Sequence, residues 1–381
     1  MKEVAAVPLS RIWVLYGLGL MAAPHCLPAS PLPLSALPSP ILLQGSDTVA
    51  YRDPAAVYVN GVFHLFYTYN QSRGENQDVR MAVGASTSSD LIHWTPTRIL
   101  TRIDPNLNFC SPGDVFRWHG EWRMCVTSYP RPNGEVYGNQ NARIWLMRSP
   151  DLADWSEPEI LRVKGPDVPR ENIGRMIDPY IFEDRSDPGR WWCFFKQDGK
   201  IHRSWTRDFE TWTPVAGTIA EGENACVVVK DGWYYLFSSP KNGIAVQRSR
   251  DLEHWDHLAL LTFGQEDWPW ARGRITAGFV LDLHADPAVG KYLMFFHGTG
   301  PDPEPKVFDT RACLGLAWSD DLVTWQWPGI GADSVDAKYD KTIHEELRTI
   351  LDDDQKYRLQ FGIILPFRSR IFPPPAYSLI R

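Results

Sequence analysis

Ser88-Ser89-Asp90-Leu91-Ile92-His93-Trp94 is one of five copies of a heptad, [Ser/Thr]-x-Asp-[Leu/Phe]-x-x-Trp. The others are Ser149 to Trp155, Thr206 to Trp212, Ser249 to Trp255 and Ser319 to Trp325. Successive tryptophans stand 61, 57, 43 and 70 residues apart. An internal repeat of this size governs the fold before any local reading does. It fits four-stranded blades with variable loops, and so predicts an all-β, five-bladed β-propeller.

A second repeat runs in phase with the first. A turn glycine with an aromatic two positions later recurs as Gly61/Phe63, Gly120/Trp122, Gly189/Trp191, Gly232/Tyr234 and Gly290/Tyr292. Each pair opens an aromatic run, such as Phe63 to Thr68 or Tyr292 to His297, which reads as the second strand of a hairpin. In the heptad, the Ser/Thr and Asp side chains suit local bonds to turn amides, and the Trp suits a wedge between sheets. These features build blades and carry no chemistry.

Composition narrows the partners. A net charge of −7 without basic runs argues against nucleic acid. Beyond the N-terminus no apolar stretch is long enough to span a membrane. Lys2 and Arg11 ahead of the run Ile12 to Ala23 resemble a signal peptide over residues 1–23, and so predict a secreted or periplasmic protein. A Pro/Ser-rich linker is expected over 24–46, the propeller over 47–329, and a tail of no assigned role over 330–381. The six cysteines show neither metal-ligand spacing nor a disulfide framework, and those in apolar strands read as buried thiols.

Chemistry in a propeller belongs where the inner strands meet the axis. Carboxylates stand ahead of four apolar inner strands: Asp53, Asp114, Asp178 and Glu223. Clustered acids repel one another, so their recurrence points to acid/base work or cation binding rather than to stability.

Arg52-Asp53-Pro54, Ile177-Asp178-Pro179 and Glu223, with the strands that follow each, resemble the acidic signatures of family 43 glycoside hydrolases and their five-bladed relatives. The resemblance covers roughly Thr48 to Gly329. It implies an inverting glycoside hydrolase with Asp53 as general base, Asp178 as pKa modulator and Glu223 as general acid. Glu223 would then need a raised pKa, and its carboxyl should lie about 6.5–9.5 Å from that of Asp53. The substrate class implied is an oligo- or polysaccharide, with arabinofuranosyl or xylosyl linkages first and galactosyl-type sugars second. Asp114, Arg274 and Trp268 are candidate substrate contacts. No cofactor is required; His297 stands where relatives hold an axial cation, so a calcium ion there is the one metal candidate.

Two departures bear on the subfamily. Asn224-Ala225 follows the acid, and blade 3 turns through Glu183 to Pro188. An enzyme of a related propeller clan, such as a retaining fructosidase, is less expected, because Arg52 replaces Asn before Asp-Pro and Asn224 replaces Cys after Glu. The rival of another class is a non-catalytic carbohydrate-binding propeller.

Overall fold

A computed structural model describes residues 31–73 and 78–329. The expected signal segment and C-terminal tail lie outside the described residues. Five antiparallel sheets follow one another along the chain, and in the first four the strands lie side by side in sequence order. Their inner strands are Val49–Val59, Phe109–Trp118, Ile177–Glu183, Glu223–Lys230 and Arg274–Leu283. Blade 3, for example, runs Ile177–Glu183, Trp191–Gln197, Lys200–Thr206 and Thr213–Glu221. Among the described residues the only helical pieces are three short 3₁₀ turns.

Blade 5 closes the ring. Its third strand, Cys313–Ser319, pairs on one side with Trp325–Gln326 and also with Ile41–Leu43 from the other end of the propeller. The apolar triplet Ile41-Leu42-Leu43 therefore joins the sheet, although it falls in the stretch expected to be linker. Leu34 and Leu37, just before it, are buried.

The heptad forms the same turn in all five blades. Its Ser or Thr hydroxyl accepts the N–H of the Leu or Phe three residues on, at 2.8–3.0 Å. That fourth residue takes a positive φ in every copy, from 61° to 73°. The wedge role of the tryptophan is visible where Trp155 of blade 2 meets Phe66 of blade 1 edge-on at 5.6 Å, and where Trp325 meets Phe237 at 6.0 Å. Among the cysteines, Cys110, Cys125, Cys193, Cys226 and Cys313 are buried free thiols.

Each inner strand is bulged at its axial end. The register breaks after Arg52, Cys110, Ile177, Glu223 and Thr276, and resumes two residues later on the partner strand. The residue that follows each break has a positive φ: Asp53, Ser111, Asp178, Asn224 and Ala277, all between 43° and 56°. A bulge turns a side chain out of the pleat, here toward the axis. The packing there is close: a Cβ on Gly113 would lie 1.5 Å from the carbonyl oxygen of Pro179.

Candidate active site

The bulges are tied blade to blade. The N–H of Ser111 donates to Thr68 Oγ1 at 2.7 Å, that of Asp178 to Thr127 Oγ1 at 3.0 Å, and that of Ala277 to Ser239 Oγ at 2.7 Å. The N–H of Asp53 donates to His297 Nδ1 at 3.1 Å. Each acceptor sits on the preceding blade's second strand, directly opposite the last paired residue. The fifth such place, opposite Ile177, belongs to Lys196. An ammonium has no lone pair to offer. Its Nζ instead donates to Glu223.

This ring shows which acids are equivalent. Asp53 and Asp178 occupy matching bulge positions; Glu223 stands one residue earlier, and Asn224 takes the bulge of blade 4. Gly222 before it has φ 103°, and a Cβ there would meet the carbonyl oxygen of Ser239 at 2.2 Å, so the chain turns into Glu223 where only glycine fits. In blade 2 the bulge residue is Ser111. Three residues, Ser111 to Gly113, are passed over there, and Asp114 pairs with Cys125 instead.

Asp53, Asp178 and Glu223 line one cavity of about 1070 Å³, together with Arg274, Lys196, Arg52, Arg175 and Glu304. Tyr129, Tyr137 and Phe308 supply its aromatic surface. Asp114 is not among the lining residues. It is buried, its Oδ1 accepts the N–H of Val115 at 2.7 Å, and burial pushes its carboxyl up to about 8. Trp268 is also absent from the lining. It stacks on Trp270 at 5.2 Å and packs against Phe296 and Trp327.

The three cavity acids differ in environment. Asp53 Oδ2 accepts from Thr68 Oγ1 at 2.9 Å and from Ser111 Oγ at 3.2 Å. Asp178 is buried, and burial, with Glu223 and Asp53 nearby, raises its carboxyl to about 7. Burial also disfavours the charge on Glu223, but Arg274 and Lys196 outweigh it and pull the carboxyl down to about 2. The expected raised pKa therefore falls on Asp178 and not on Glu223. The cause is specific: Arg274 Nη2 donates to Glu223 Oε1 at 2.6 Å while Lys196 holds Oε2.

A second buried acid completes the network. Glu304 pairs with Arg52 through Oε1, and its Oε2 accepts from Arg274 Nη1 at 2.6 Å. Charges alternate along Arg52, Glu304, Arg274, Glu223 and Lys196, which is how several ions share a poorly hydrated site. Glu304 lies on a loop outside both repeats, so no sequence signal marks it. Lys196 was detectable: it ends an aromatic run at the position where the other blades place Thr68, Thr127, Ser239 and His297.

The surroundings of His297 do not suit a cation. Its Nδ1 lone pair faces the N–H of Asp53, which leaves the ring proton on Nε2, 3.8 Å from Glu304 Oε1. Burial and Arg52 lower its pKa, so the ring is neutral. Among the described residues no group of three or more His, Cys, Asp or Glu could hold a metal ion. Of the nearby acids, Glu304 and Glu223 are paired with Arg52, Arg274 and Lys196.

Comparison with known proteins agrees with this architecture. The profile of the glycosyl hydrolases family 32 N-terminal domain matches residues 51–229. A fructan 1-exohydrolase from Aegilops speltoides is 30% identical over 139 residues, which make up 34% of this chain and 22% of that protein. An insoluble beta-fructofuranosidase isoenzyme from Arabidopsis thaliana is 33% identical over 102 residues, 26% of this chain and 16% of that protein. The chain thus spans less than a quarter of the length of the curated relatives it matches. Among solved structures, a GH62 hydrolase in complex with xylotriose aligns at TM-score 0.53 and 18% identity, covering 71% of this chain and 92% of that one. The catalytic domain of the Coprinopsis cinerea GH62 alpha-L-arabinofuranosidase aligns at TM-score 0.51 and 18% identity, covering 74% and 97%. At this identity the structural likeness is one of fold. Blades 1 to 3 and the start of blade 4 fit the family 32 profile despite Arg52 and Asn224, so family 43 is not singled out. The five-bladed fold and the profile over residues 51–229, just under half of the chain, make this protein similar to the glycoside hydrolases built on such propellers.

Proposed function

We propose that this protein hydrolyses O-glycosidic bonds of oligo- or polysaccharides, with Asp53, Asp178 and Glu223 as its catalytic carboxyls. The observation that carries the reading is their convergence in one cavity, with one acid raised to about 7 beside two others. Glycoside cleavage needs one carboxyl that gives a proton and one that stays ionised. Asp53, held by two hydroxyls, activates water; Glu223 faces the leaving oxygen; Asp178 modulates both. Arabinofuranosyl and xylosyl linkages lead the candidate sugars, then galactosyl-type ones, and the curated relatives' names add fructosyl linkages. Lys2, Arg11 and the apolar run Ile12 to Ala23 support export.

Inversion follows from the family 43 resemblance. The family 32 profile favours a second reading, retention with Asp53 as nucleophile. Proton magnetic resonance of the first-formed product separates the two: an inverted anomer supports Asp53 as base, and a retained one supports Asp53 as nucleophile. A protein that binds sugars and cleaves none would be a carbohydrate-binding propeller instead.

A further inference from the structure

Glu223 can donate a proton only after it has taken one up, and two cations now hold it ionised. Arg274 is shared: Nη1 stays on Glu304 Oε2 while Nη2 reaches Glu223 Oε1, both at 2.6 Å. Lys196 holds the other oxygen of Glu223. A neutral sugar hydroxyl competes poorly for such a pair, because ion-to-ion hydrogen bonds are the stronger kind. A second carboxylate competes on equal terms and matches the planar shape of the one it replaces.

We propose that the substrate is acidic: a uronate carboxylate at or next to the scissile bond takes the Nη2 of Arg274 and the Nζ of Lys196 from Glu223. The inference rests on the hydrolase reading above and adds the substrate class to it. Glu223, released into a buried site beside Asp178, then binds a proton from solvent and becomes the acid that protonates the leaving oxygen. Arg274 need not leave Glu304, so the exchange moves only one arm of the guanidinium.

The rest of the cavity suits an acidic chain. Arg175 lines the cavity, with its guanidinium 5.4 Å from the ring of Tyr129 and a hydrogen bond to the carbonyl of Tyr137. Lys241 and Arg272 line the cavity as well. Among the described residues none of these three has a carboxylate within ion-pair distance. Glu266, also in the lining, offers Arg272 its main-chain oxygen. Over the whole lining six Lys and Arg side chains stand against five carboxyls, one of them the raised Asp178, and this balance favours an anionic ligand over a neutral one.

Calorimetry on the full chain tests this. The probes are oligosaccharides containing galacturonate or glucuronate, and the same pools after reduction of every carboxyl to the neutral sugar. The uronides are expected to bind at least about tenfold tighter, corresponding to about 1.4 kcal/mol, and more weakly as salt is added. Between pH 5 and 6, buffers of different ionisation enthalpy should show a proton taken up with the uronide and none with the reduced pool. Arg175→Gln with Lys241→Gln, which leaves no buried carboxylate without its partner, should weaken the uronides severalfold and leave the reduced pool unchanged. Equal affinity for both pools, or uronide binding without proton uptake, overturns the inference. Cleavage of reduced and acidic pools at equal efficiency also overturns it while leaving hydrolysis standing. Tight uronide binding with proton uptake but no cleavage of any pool upholds the acidic ligand and removes the hydrolase.

Discussion

Asp178 is where environment and chemistry meet most sharply. Its folded pKa is raised above the value of an unfolded aspartate, so the folded state holds a proton that the unfolded chain has released. Stability from this group is therefore full below about pH 4 and is lost as pH rises toward 7. Asp178→Asn keeps a neutral side chain at every pH. We expect the variant to gain roughly 2–4 kcal/mol over the wild type at pH 8 and little at pH 4. Urea denaturation at the two pH values measures the difference, and an equal effect at both would contradict the assigned protonation. Glu223 works in the other direction: its folded pKa is depressed, so its contribution is present at neutral pH and lost as pH falls from the usual glutamate range toward 2.

At the scale of the element, the bulge of each inner strand positions the acids. Its N–H is caught by a side chain of the blade before. Thr127→Val removes the acceptor for the N–H of Asp178 without changing shape. Leaving a buried donor unpaired costs about 1–3 kcal/mol, and Thr127→Ser should restore most of it. Thermal melts of the two variants check this; equal stability of the Val variant and wild type would mean that the tie does not hold the bulge. The same element explains what could be read from the sequence. The heptads and turn glycines fixed blade count and phase because their roles are local and repeat five times. Asp53 and Asp178 followed, since Asp-Pro marks their bulges. Asp114 misled because blade 2 passes over three residues at its bulge and not two, an offset that spacing to a turn glycine does not reveal. Trp268 misled because an aromatic residue on a loop reads alike whether it faces a sugar or packs on Phe296. Glu304 was invisible, because its partners Arg52 and Arg274 lie 252 and 30 residues away in the chain.

Over the whole molecule, closure decides whether the cavity exists. The sheet of blade 5 is completed from both ends of the propeller, by Ile41–Leu43 and by Trp325–Gln326. Removing residues 1–46 would strip that strand and expose the surface now covered by Leu34 and Leu37. Two buried leucines alone contribute about 3–6 kcal/mol, so the truncated chain should be at least about 3 kcal/mol less stable. A truncated chain as stable as the full one would show that closure does not depend on this strand. The axial acids come from blades 1, 3 and 4, and their spacing is held only while the ring is shut.

The proposed hydrolysis depends on Asp53, Asp178 and Glu223 acting together on one glycosidic bond. Proton magnetic resonance of the wild type and of Asp53→Asn and Glu223→Gln, acting on pooled pentosyl, galactosyl, fructosyl and uronate-containing oligosaccharides, tests it most directly. New reducing-end signals are expected with the wild type, and rates about 10²–10⁴-fold lower in each variant, with folding unchanged by circular dichroism. No cleavage by the wild type across the pools, or a variant that cleaves at the wild-type rate, would contradict it.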